Sequence, residues 1–424
     1  MTIFSLDLLP ASMNKPSLLS LDDALSHLIE QALLLTPSQN LSTFEADGRV
    51  LGVDVVSELD VPAFNNSAMD GYAFRYQDFL ACSGVLQPGQ RIAAGHFPEA
   101  IQPGHADRIF TGAPVPQGAD TVVMQEECEL LPDRTIKILS QPIQGQCIRL
   151  RGEDISSGQT VLRRGHKLTP ASLGLAASLG LASLPVVRPP KVALFSTGDE
   201  LIMPGSMKPT ELPPGAIFNS NRFFLKALLE RLGCVVTDAG ILPDNLQDTQ
   251  KAFSLAAQSH DLLLTSGGVS VGEEDHVKPA IQSLGHLHLW SLAIKPGKPF
   301  AYGKLQNTNG AHVHFIGLPG NPVSSLVTFI LLVRPFVLRL QGATEIALQG
   351  FPMRADFSWS KADKRREFLR VKQNSAGGLD LFENQSSGVL TSAVWGDGLV
   401  DNPSGQVIQA GDTVRYIPFL FGIS

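Results

Sequence analysis

A glycine-rich stretch at residues 262–280 carries residue types suited to binding an anionic ligand. It reads LLLTSGGVSVGEEDHVKPA, a short apolar run followed by a turn. Glycine lets the backbone approach a ligand closely, and consecutive turn N–H groups form a nest for an anion. The small residues of the turn are Ser266, Gly267, Gly268, Ser270 and Gly272. The pattern predicts a strand, a phosphate-binding turn and the start of a helix.

Three carboxylates follow this turn directly and complicate a simple phosphate site. Glu273, Glu274 and Asp275 are predicted to open the helix, where they would repel a bare phosphate. A bound cation or a separate anion subsite is therefore implied. A tight strand-to-helix turn with ordinary capping acids is the alternative interpretation of this stretch.

The elements that must position this turn alternate regularly from residue 191 to about residue 342. Strands are predicted at 192–195, 234–236, 262–264 and 313–316. A helix capped by Asn219 or Ser220 presents a periodic apolar face and stops at Gly233. The alternation predicts a doubly wound α/β domain built on a parallel sheet.

Polar loops follow these predicted strands one after another. Parallel sheets bind ligands at the carboxyl ends of their strands, so the loops should meet in one cleft. The residues expected there are Thr197, Glu200, Asp244, Ser266, Gly267, Gly268, Ser270, Gly272, Asp275, Pro319, Gly320 and Pro322. Lys295 and Lys298 of the sequence AIKPGKP would add positive charge to the cleft, although a solvated basic turn would have the same sequence.

Three further units are predicted around the α/β domain at 191–342. They are an N-terminal linking domain (1–60 and 150–190), an inserted small β domain (61–149) and a C-terminal β domain (343–424). The stretch LPVVRPPK at 184–191 predicts a stiff linker. Candidate site residues in these units are Asp70, Thr111, Arg149, Asp154, Arg366 and Ser387.

Composition excludes several classes of protein. The net charge of −7, from 33 basic and 40 acidic residues, gives no basic surface for nucleic acid or an anionic membrane. The four cysteines lack metal-ligand spacing and favour a reduced, cytoplasmic compartment. The apolar runs at 174–187 and 325–340 are interrupted by proline or arginine, which suits buried helices better than membrane spans.

Seven motifs in order resemble the molybdopterin molybdenumtransferase family, which includes bacterial MoeA and the gephyrin E domain. They are SAMDGYA, FTGAPVP, RGEDI, STGDEL, TSGGVSVGEED, IKPGKPF and GLPGNPVSS. The resemblance covers nearly the whole chain after about residue 20. It implies an elongated four-domain homodimer that inserts molybdate into adenylylated molybdopterin, releases AMP and depends on Mg²⁺. It also implies the molybdopterin adenylyltransferase and maturation proteins of molybdenum enzymes as partners.

The resemblance assigns roles to matched residues of this sequence. Catalytic positions are Asp70, Thr111, Glu200, Asp244 and Asp275, of which Asp244, Asp275 and Glu200 are the expected Mg²⁺ ligands. Substrate-binding positions include Arg149, Asp154, Lys295, Pro319, Pro322, Arg366 and Ser387. Two departures are His276, where a tyrosine is common, and Ser291, where a basic residue is expected.

Two other functions stay open at this point. Residues 268–272 match G-x-S-x-G, which would make Ser270 the nucleophile of a serine hydrolase. The doubled glycine and the acids after Gly272 make a poor surrounding for such a nucleophile. A non-catalytic scaffold is the second alternative, because the gephyrin branch of the family also anchors receptors.

Overall fold

A six-stranded sheet forms the centre of the computed structural model, which describes residues 18–35, 38–242, 245–269 and 276–419. Its strands in chain order are β1 (Lys191–Thr197), β2 (Val235–Leu242), β3 (Leu262–Ser266), β4 (Gly285–Ser291), β5 (Pro299–Gln306) and β6 (His312–Leu318). Their order across the sheet is β2–β1–β3–β6–β5–β4, and the first four run parallel.

Two further strands of the sheet, β4 and β5, were not predicted from the sequence and run antiparallel to their neighbours. A parallel crossover needs a dozen or more residues. The connections 292–298 and 307–311 are shorter than that, so they produce hairpins. The four strands that lead to the glycine-rich edge are parallel, as the sequence predicts.

Helices cover both faces of this sheet, which confirms the doubly wound architecture. They are α1 (Asn221–Arg231), α2 (Leu246–Ala256), α3 (Val277–Leu284), α4 (Pro322–Thr328) and α5 (Arg334–Leu340), with a π-helical turn at Phe329–Val333 between the last two. Alternate residues of β1 enter opposite cores: Leu194 packs with Leu225, and Phe195 packs with Phe253. Each such buried side chain contributes about 1.5–3 kcal/mol.

Local signals place most helix ends where the sequence predicts them. Gly233 follows α1 with a φ of +80°, and the side chain of Asn245 caps α2 by accepting from the Asp248 N–H at 2.8 Å. The described helix α3 begins at Val277, with His276 at its N-cap, and the acidic residues 273–275 that were predicted to open it lie outside the described residues.

The N-terminal region pairs strands that lie far apart in the sequence. Ser38–Ser42 pairs with Ser183–Val187, and Val55–Val56 pairs with Thr160–Leu162. The helix Pro170–Ser178 is capped by Thr169, as its sequence predicts. The linker prediction is wrong for residues 184–187, which belong to a strand and bury Leu184 and Val186.

The first helix, Leu21–Gln31, packs against the helices of the central domain. Ser20 caps it, and its buried residues Leu21, Ala24 and Leu28 join the same core as α4 and α5. The segment Pro322–Leu340 is long and apolar enough to span a membrane by length and composition alone, but 89% of its most apolar stretch is buried inside the protein. It is therefore a core helix of the central domain.

The inserted domain holds a mixed six-stranded sheet with a core of its own. Its strands in spatial order are Thr121–Met124, Gly71–Phe74, His105–Ile109, Val85–Ile92, Ile136–Ile138 and Cys128–Leu130. The helix Tyr76–Ala81 lies beside them, and Asn66–Ser67 pairs with Ile148–Arg149 where the chain enters and leaves the domain.

The C-terminal domain is a sheet closed into a small barrel. Its strands in spatial order are Arg366–Gln373, Gly378–Leu381, Phe351–Ala355, Thr413–Pro418 and Gly398–Asn402, and the first also pairs with the last. The short helix Thr391–Trp395 packs on Arg366–Gln373. Ile294–Lys295 from the central segment pairs in parallel with the start of Arg366–Gln373.

Replacement of Gly71 by alanine should destabilise the inserted domain by at least about 2 kcal/mol. An added Cβ would lie 1.7 Å from the Val123 carbonyl oxygen, inside the sheet. Gly174→Ala is the matched control, since that helical glycine has no atom within 4 Å of an added Cβ and the change should stabilise by about 0.5–1 kcal/mol. Thermal unfolding of both variants checks this, and equal melting temperatures would contradict it.

Candidate active site

A cavity of about 680 Å³ lies at the carboxyl ends of β1, β3 and β6. The loops that follow these three strands form much of its wall, together with residues 217–221 and the start of α4. The sequence-predicted residues that line it are Thr197, Glu200, Ser266, Gly267, Gly268, Pro319, Gly320 and Pro322. The topology of the sheet therefore brings these residues together as parallel strands require.

The double glycine after β3 lets neighbouring elements close around the cavity. Gly267 and Gly268 have φ values of +93° and +70°, which strongly favour glycine. A Cβ on Gly267 would lie 2.6 Å from Thr197 Oγ1, and one on Gly268 would lie 2.5 Å from Val277 Cγ2. Side chains at these two positions would separate β1 and α3 from the turn.

Two buried asparagines, of which only Asn219 was predicted from the sequence as a helix cap, hydrogen-bond the serines near the ends of β1 and β3. Asn219 Nδ2 donates to Ser196 Oγ at 2.9 Å. Asn221 Nδ2 donates to Ser266 Oγ at 2.8 Å and to the Gly320 carbonyl at 2.7 Å. The sequence signal for these contacts was the tripeptide Asn-Ser-Asn at residues 219–221, which places two amide side chains at the start of α1.

The expected metal ligands are described only in part. Glu200 lines the cavity mouth next to Asp199. Asp244 and Asp275, together with Ser270 and Gly272, lie outside the described residues. Leu242 and His276, close to those two aspartates in sequence, both line the cavity. Within the described ranges, no group of three or more acidic, histidine or cysteine side chains is placed to hold a metal.

Asp70 and Thr111 come together in the inserted domain. The Thr111 N–H and hydroxyl both donate to Asp70 Oδ1, at 2.8 and 2.7 Å. These bonds, the backbone one first, hold the pKa of Asp70 below its usual value, and the Arg108 charge acts in the same direction. Neither residue is among those that line the cavity of the same chain.

Arg108 contacts residues next to Asp70 rather than the Asp70–Thr111 pair itself. Its guanidinium donates to the Gly71 carbonyl at 2.8 Å and to Gln125, and it lies over the rings of Tyr72 and Phe110. The backbone N–H of Gln125 in turn donates to the Asp70 carbonyl at 3.0 Å. Asp70 is thus presented at the surface by a rigid set of contacts.

Arg149 and Asp154 lie on the exposed connection between the inserted domain and the N-terminal region. Arg149 pairs with Asn66 in a two-residue ladder, and the Asp154 N–H donates to the Val61 carbonyl at 3.1 Å. Neither residue lines the cavity of its own chain. Sequence reasoning therefore names two sets of residues, one at the cavity and one on this distant surface.

Lys295 contacts the C-terminal barrel rather than the cavity wall. Its Nζ lies 3.0 Å from Glu367 Oε1 and 3.1 Å from Asp363 Oδ2. Burial acts to lower the pKa of Lys295, but these hydrogen bonds outweigh it and the pKa lies above the usual value. Lys298 is exposed and adjoins Pro299, which does line the cavity.

Arg366 lies in a second cavity of about 710 Å³, between the first helix and the barrel. Its guanidinium binds Asp401 Oδ1 and Oδ2 at 2.6 and 2.7 Å, and Asp22 Oδ1 lies 3.3 Å away. Ser387 lies closer to the first cavity, since its carbonyl accepts from the Val323 N–H at 3.0 Å beside Pro322. These two predicted residues are therefore not brought to one point.

Arg370 is a buried cation of the C-terminal domain to which the sequence assigned no role. It is 1% exposed and donates to Ser392 Oγ and the Phe368 carbonyl at 3.1 Å each, and to the Ser386 carbonyl at 3.3 Å. Burial lowers the pKa of Arg370 to about 10. All three acceptors are neutral, so its charge adds a positive potential beside Ser387.

Three family models match successive parts of the chain. The MoeA N-terminal region (domain I and II) matches residues 19–180, and the MoeA C-terminal region (domain IV) matches residues 352–419. Between them, a model described as "Probable molybdopterin binding domain" matches residues 193–339. The described cavity lies within this middle segment.

Curated relatives and solved structures agree with these matches. The chain is 42% identical to the molybdopterin molybdenumtransferase of Haemophilus influenzae, over 95% of this chain and 99% of the relative. It is 36% identical to molybdopterin molybdenumtransferase 2 of Mycobacterium tuberculosis, over 87% and 92% of the two chains. A crystal structure of the molybdopterin biosynthesis MoeA protein from Pyrococcus horikoshii superposes with a TM-score of 0.81 at 26% identity, over 95% of this chain and all of that one.

Replacement of Thr111 by valine should raise the pKa of Asp70 towards its usual value, because one of the two donors to the carboxylate is lost. A depressed pKa stabilises the fold above the pKa of the unfolded aspartate, and this stability is lost as the pH falls through the folded value. Titration of the Asp70 carboxyl carbon by NMR measures the change.

Thr135→Val is the matched control for this prediction. Asp133 Oδ1 accepts from the Thr135 N–H at 3.0 Å and from its hydroxyl at 2.6 Å, the same arrangement in the same domain. That variant should raise the pKa of Asp133 and leave Asp70 unchanged. An Asp70 pKa that does not respond to Thr111→Val would show that the hydroxyl bond has no influence on it.

Proposed function

The chain belongs to the molybdopterin molybdenumtransferase family, and from this membership we propose that it inserts molybdate into adenylylated molybdopterin and releases AMP. We place this reaction in the cavity described above. The protein is a transferase of molybdenum cofactor biosynthesis that inserts molybdenum into molybdopterin. The observation that carries the finer proposal is the shared cavity wall of Thr197, Ser266 and Gly320, drawn from three strand ends.

The chemistry of the substrate matches this wall. Adenylylated molybdopterin carries a phosphoanhydride, and molybdate is an oxyanion, so both need hydrogen-bond donors and positive charge. Micromolar affinity requires about 8 kcal/mol, whereas one helix terminus contributes about 0.3–1 kcal/mol. Several donors must therefore act together, and we assign Ser266, the glycine turn and Lys298 to this task.

We propose Mg²⁺ as the cofactor, with Glu200, Asp244 and Asp275 as its ligands. Glu200 lines the cavity, and carboxylate oxygens are the ligands that Mg²⁺ prefers. When bound, the ion would neutralise charge on the phosphate that is cleaved. The protein's own residues would hold the phosphates in place, with the glycine turn packed closely against Thr197.

A serine hydrolase is not favoured. Ser270 lies outside the described residues, and the relatives are named as transferases over nearly their whole length. We place the enzyme in the cytoplasm, because Cys82, Cys128, Cys147 and Cys234 are unpaired thiols. The enzyme that adenylylates molybdopterin is the expected partner that supplies the substrate.

Glu200→Gln should reduce molybdate-dependent AMP release from adenylylated molybdopterin by roughly 100-fold, since an amide is a weaker ligand for a hard cation. Chromatographic measurement of AMP with and without Mg²⁺ tests both the reaction and the metal. Glu211→Gln, at an exposed position on a short helical turn, is the control and should keep full activity. Wild-type protein that releases no AMP would refute the proposed reaction.

We also propose a homodimer whose active site combines residues of both chains. Asp70 and Thr111 do not line the cavity of their own chain, yet the family resemblance gives them catalytic positions. A partner chain would bring its Asp70 surface to this cavity.

Mixed dimers test the shared site. An Asp70→Ala chain and a Glu200→Ala chain should each be inactive alone, because each removes one part of every site. A mixed dimer purified with two different tags should regain about half of the wild-type AMP release, because one of its two symmetric sites is intact. A pure mixed dimer without activity would mean that each site is built within one chain.

A further inference from the structure

The orientation of the Asn221 amide is fixed by a backbone carbonyl. Asn221 is 8% exposed, and its Nδ2 lies 2.7 Å from the Gly320 oxygen. A carbonyl oxygen accepts and cannot donate, so the amide nitrogen rather than the amide oxygen must face it. The reverse orientation would place two acceptor oxygens 2.7 Å apart.

This orientation determines the direction of the next hydrogen bond. The same nitrogen lies 2.8 Å from Ser266 Oγ, so Ser266 is the acceptor. An amide nitrogen carries two protons, and both are now used. The hydroxyl proton of Ser266 has no acceptor among the residues that the structure describes, and Ser266 lines the cavity with 4% of its surface exposed.

We propose that Asn221 is a positioning residue that makes Ser266 a hydrogen-bond donor to an anionic oxygen of the bound substrate. This rests on the proposed function, in which that oxygen belongs either to the phosphate of the adenylyl group or to molybdate. The two sources share one chemistry, an oxyanion that accepts a hydrogen bond. The Gly320 carbonyl thus orients the Ser266 hydroxyl through the two hydrogen bonds of Asn221.

The chain contains a matched Asn–Ser pair in which Asn219 lines the cavity but its serine, Ser196, does not. Asn219 Nδ2 donates to Ser196 Oγ at 2.9 Å, one strand away from Ser266. Ser196 is fully buried and is not among the residues that line the cavity. Ser196→Ala therefore removes the same kind of hydrogen bond without removing a donor to the ligand.

A double-mutant cycle on ligand affinity separates positioning from general support of the fold. Calorimetry with AMP and with molybdate would measure wild type, Ser266→Ala, Asn221→Ala and the double variant, with Ser196→Ala as control. Each single change should weaken binding of the relevant probe by about tenfold, the double change no further, and the control not at all. The probe that responds identifies the source of the oxyanion, whereas additive losses would overturn the proposal.

A measurement without ligand tests the hydrogen-bond direction independently. Both side-chain amide protons of Asn221 should exchange slowly with solvent by NMR, with the signal assigned by its loss in Asn221→Asp. Ser266→Ala should make one of them exchange at least about tenfold faster, and Ser196→Ala should not. No response to Ser266→Ala would overturn the proposal. If the wild-type protein binds neither AMP nor molybdate, the proposed function fails. The amide exchange rates still decide the direction of the hydrogen bond between Asn221 and Ser266.

Discussion

Burial of the central sheet on both faces is the constraint on which the rest of the structure depends. Val192 and Leu194 of β1 enter one core, and Ala193 and Phe195 enter the other, so this strand has no face left for polar chemistry. A polar group without a partner in such a core costs roughly 1–3 kcal/mol. Function is therefore confined to the strand ends, where β1, β3 and β6 open into one cavity.

Buried asparagine amides hydrogen-bond the serines near the ends of two strands beside this cavity, while Asn221 Oδ1 has no partner among the described residues. Ser196 and Ser266 end neighbouring strands, and Asn219 and Asn221 supply their donors. Each such bond contributes a net of about 0.5–1.5 kcal/mol, but loss of one partner leaves the other unpaired inside the protein. The two hydrogen bonds of Asn221 therefore hold the end of β3 beside the loop that follows β6.

Sequence reasoning succeeds where the cause is local. Caps at Ser20 and Thr169 follow from a few neighbouring residues, and the glycine turn after β3 follows from its composition. Pro185 misled the linker prediction because it lies in the strand Ser183–Val187, which pairs with Ser38–Ser42, and its carbonyl oxygen still accepts from the Gly52 N–H at 2.8 Å.

Contacts between distant parts of the chain could not be predicted in the same way. Lys295 meets Glu367 across 72 positions, and Asn221 meets Gly320 across 99. From its neighbours in sequence alone, Lys295 is equally consistent with a solvated basic turn, and Asn221 is equally consistent with the start of a helix. The antiparallel strands β4 and β5 likewise depend on loop length more than on the apolar pattern of either strand.

The strand Ile294–Lys295 has a consequence for how genes of this kind can be recombined. It precedes β5 in the chain, yet its backbone pairs with the start of the barrel strand Arg366–Gln373. Recombination at any point between residues 295 and 366 would take the barrel from one parent and the strand Ile294–Lys295 from the other. The ion pair between Lys295 and Glu367 would then join residues of different origin. The barrel is therefore inherited together with the end of the α/β domain, as one unit rather than as an exchangeable module.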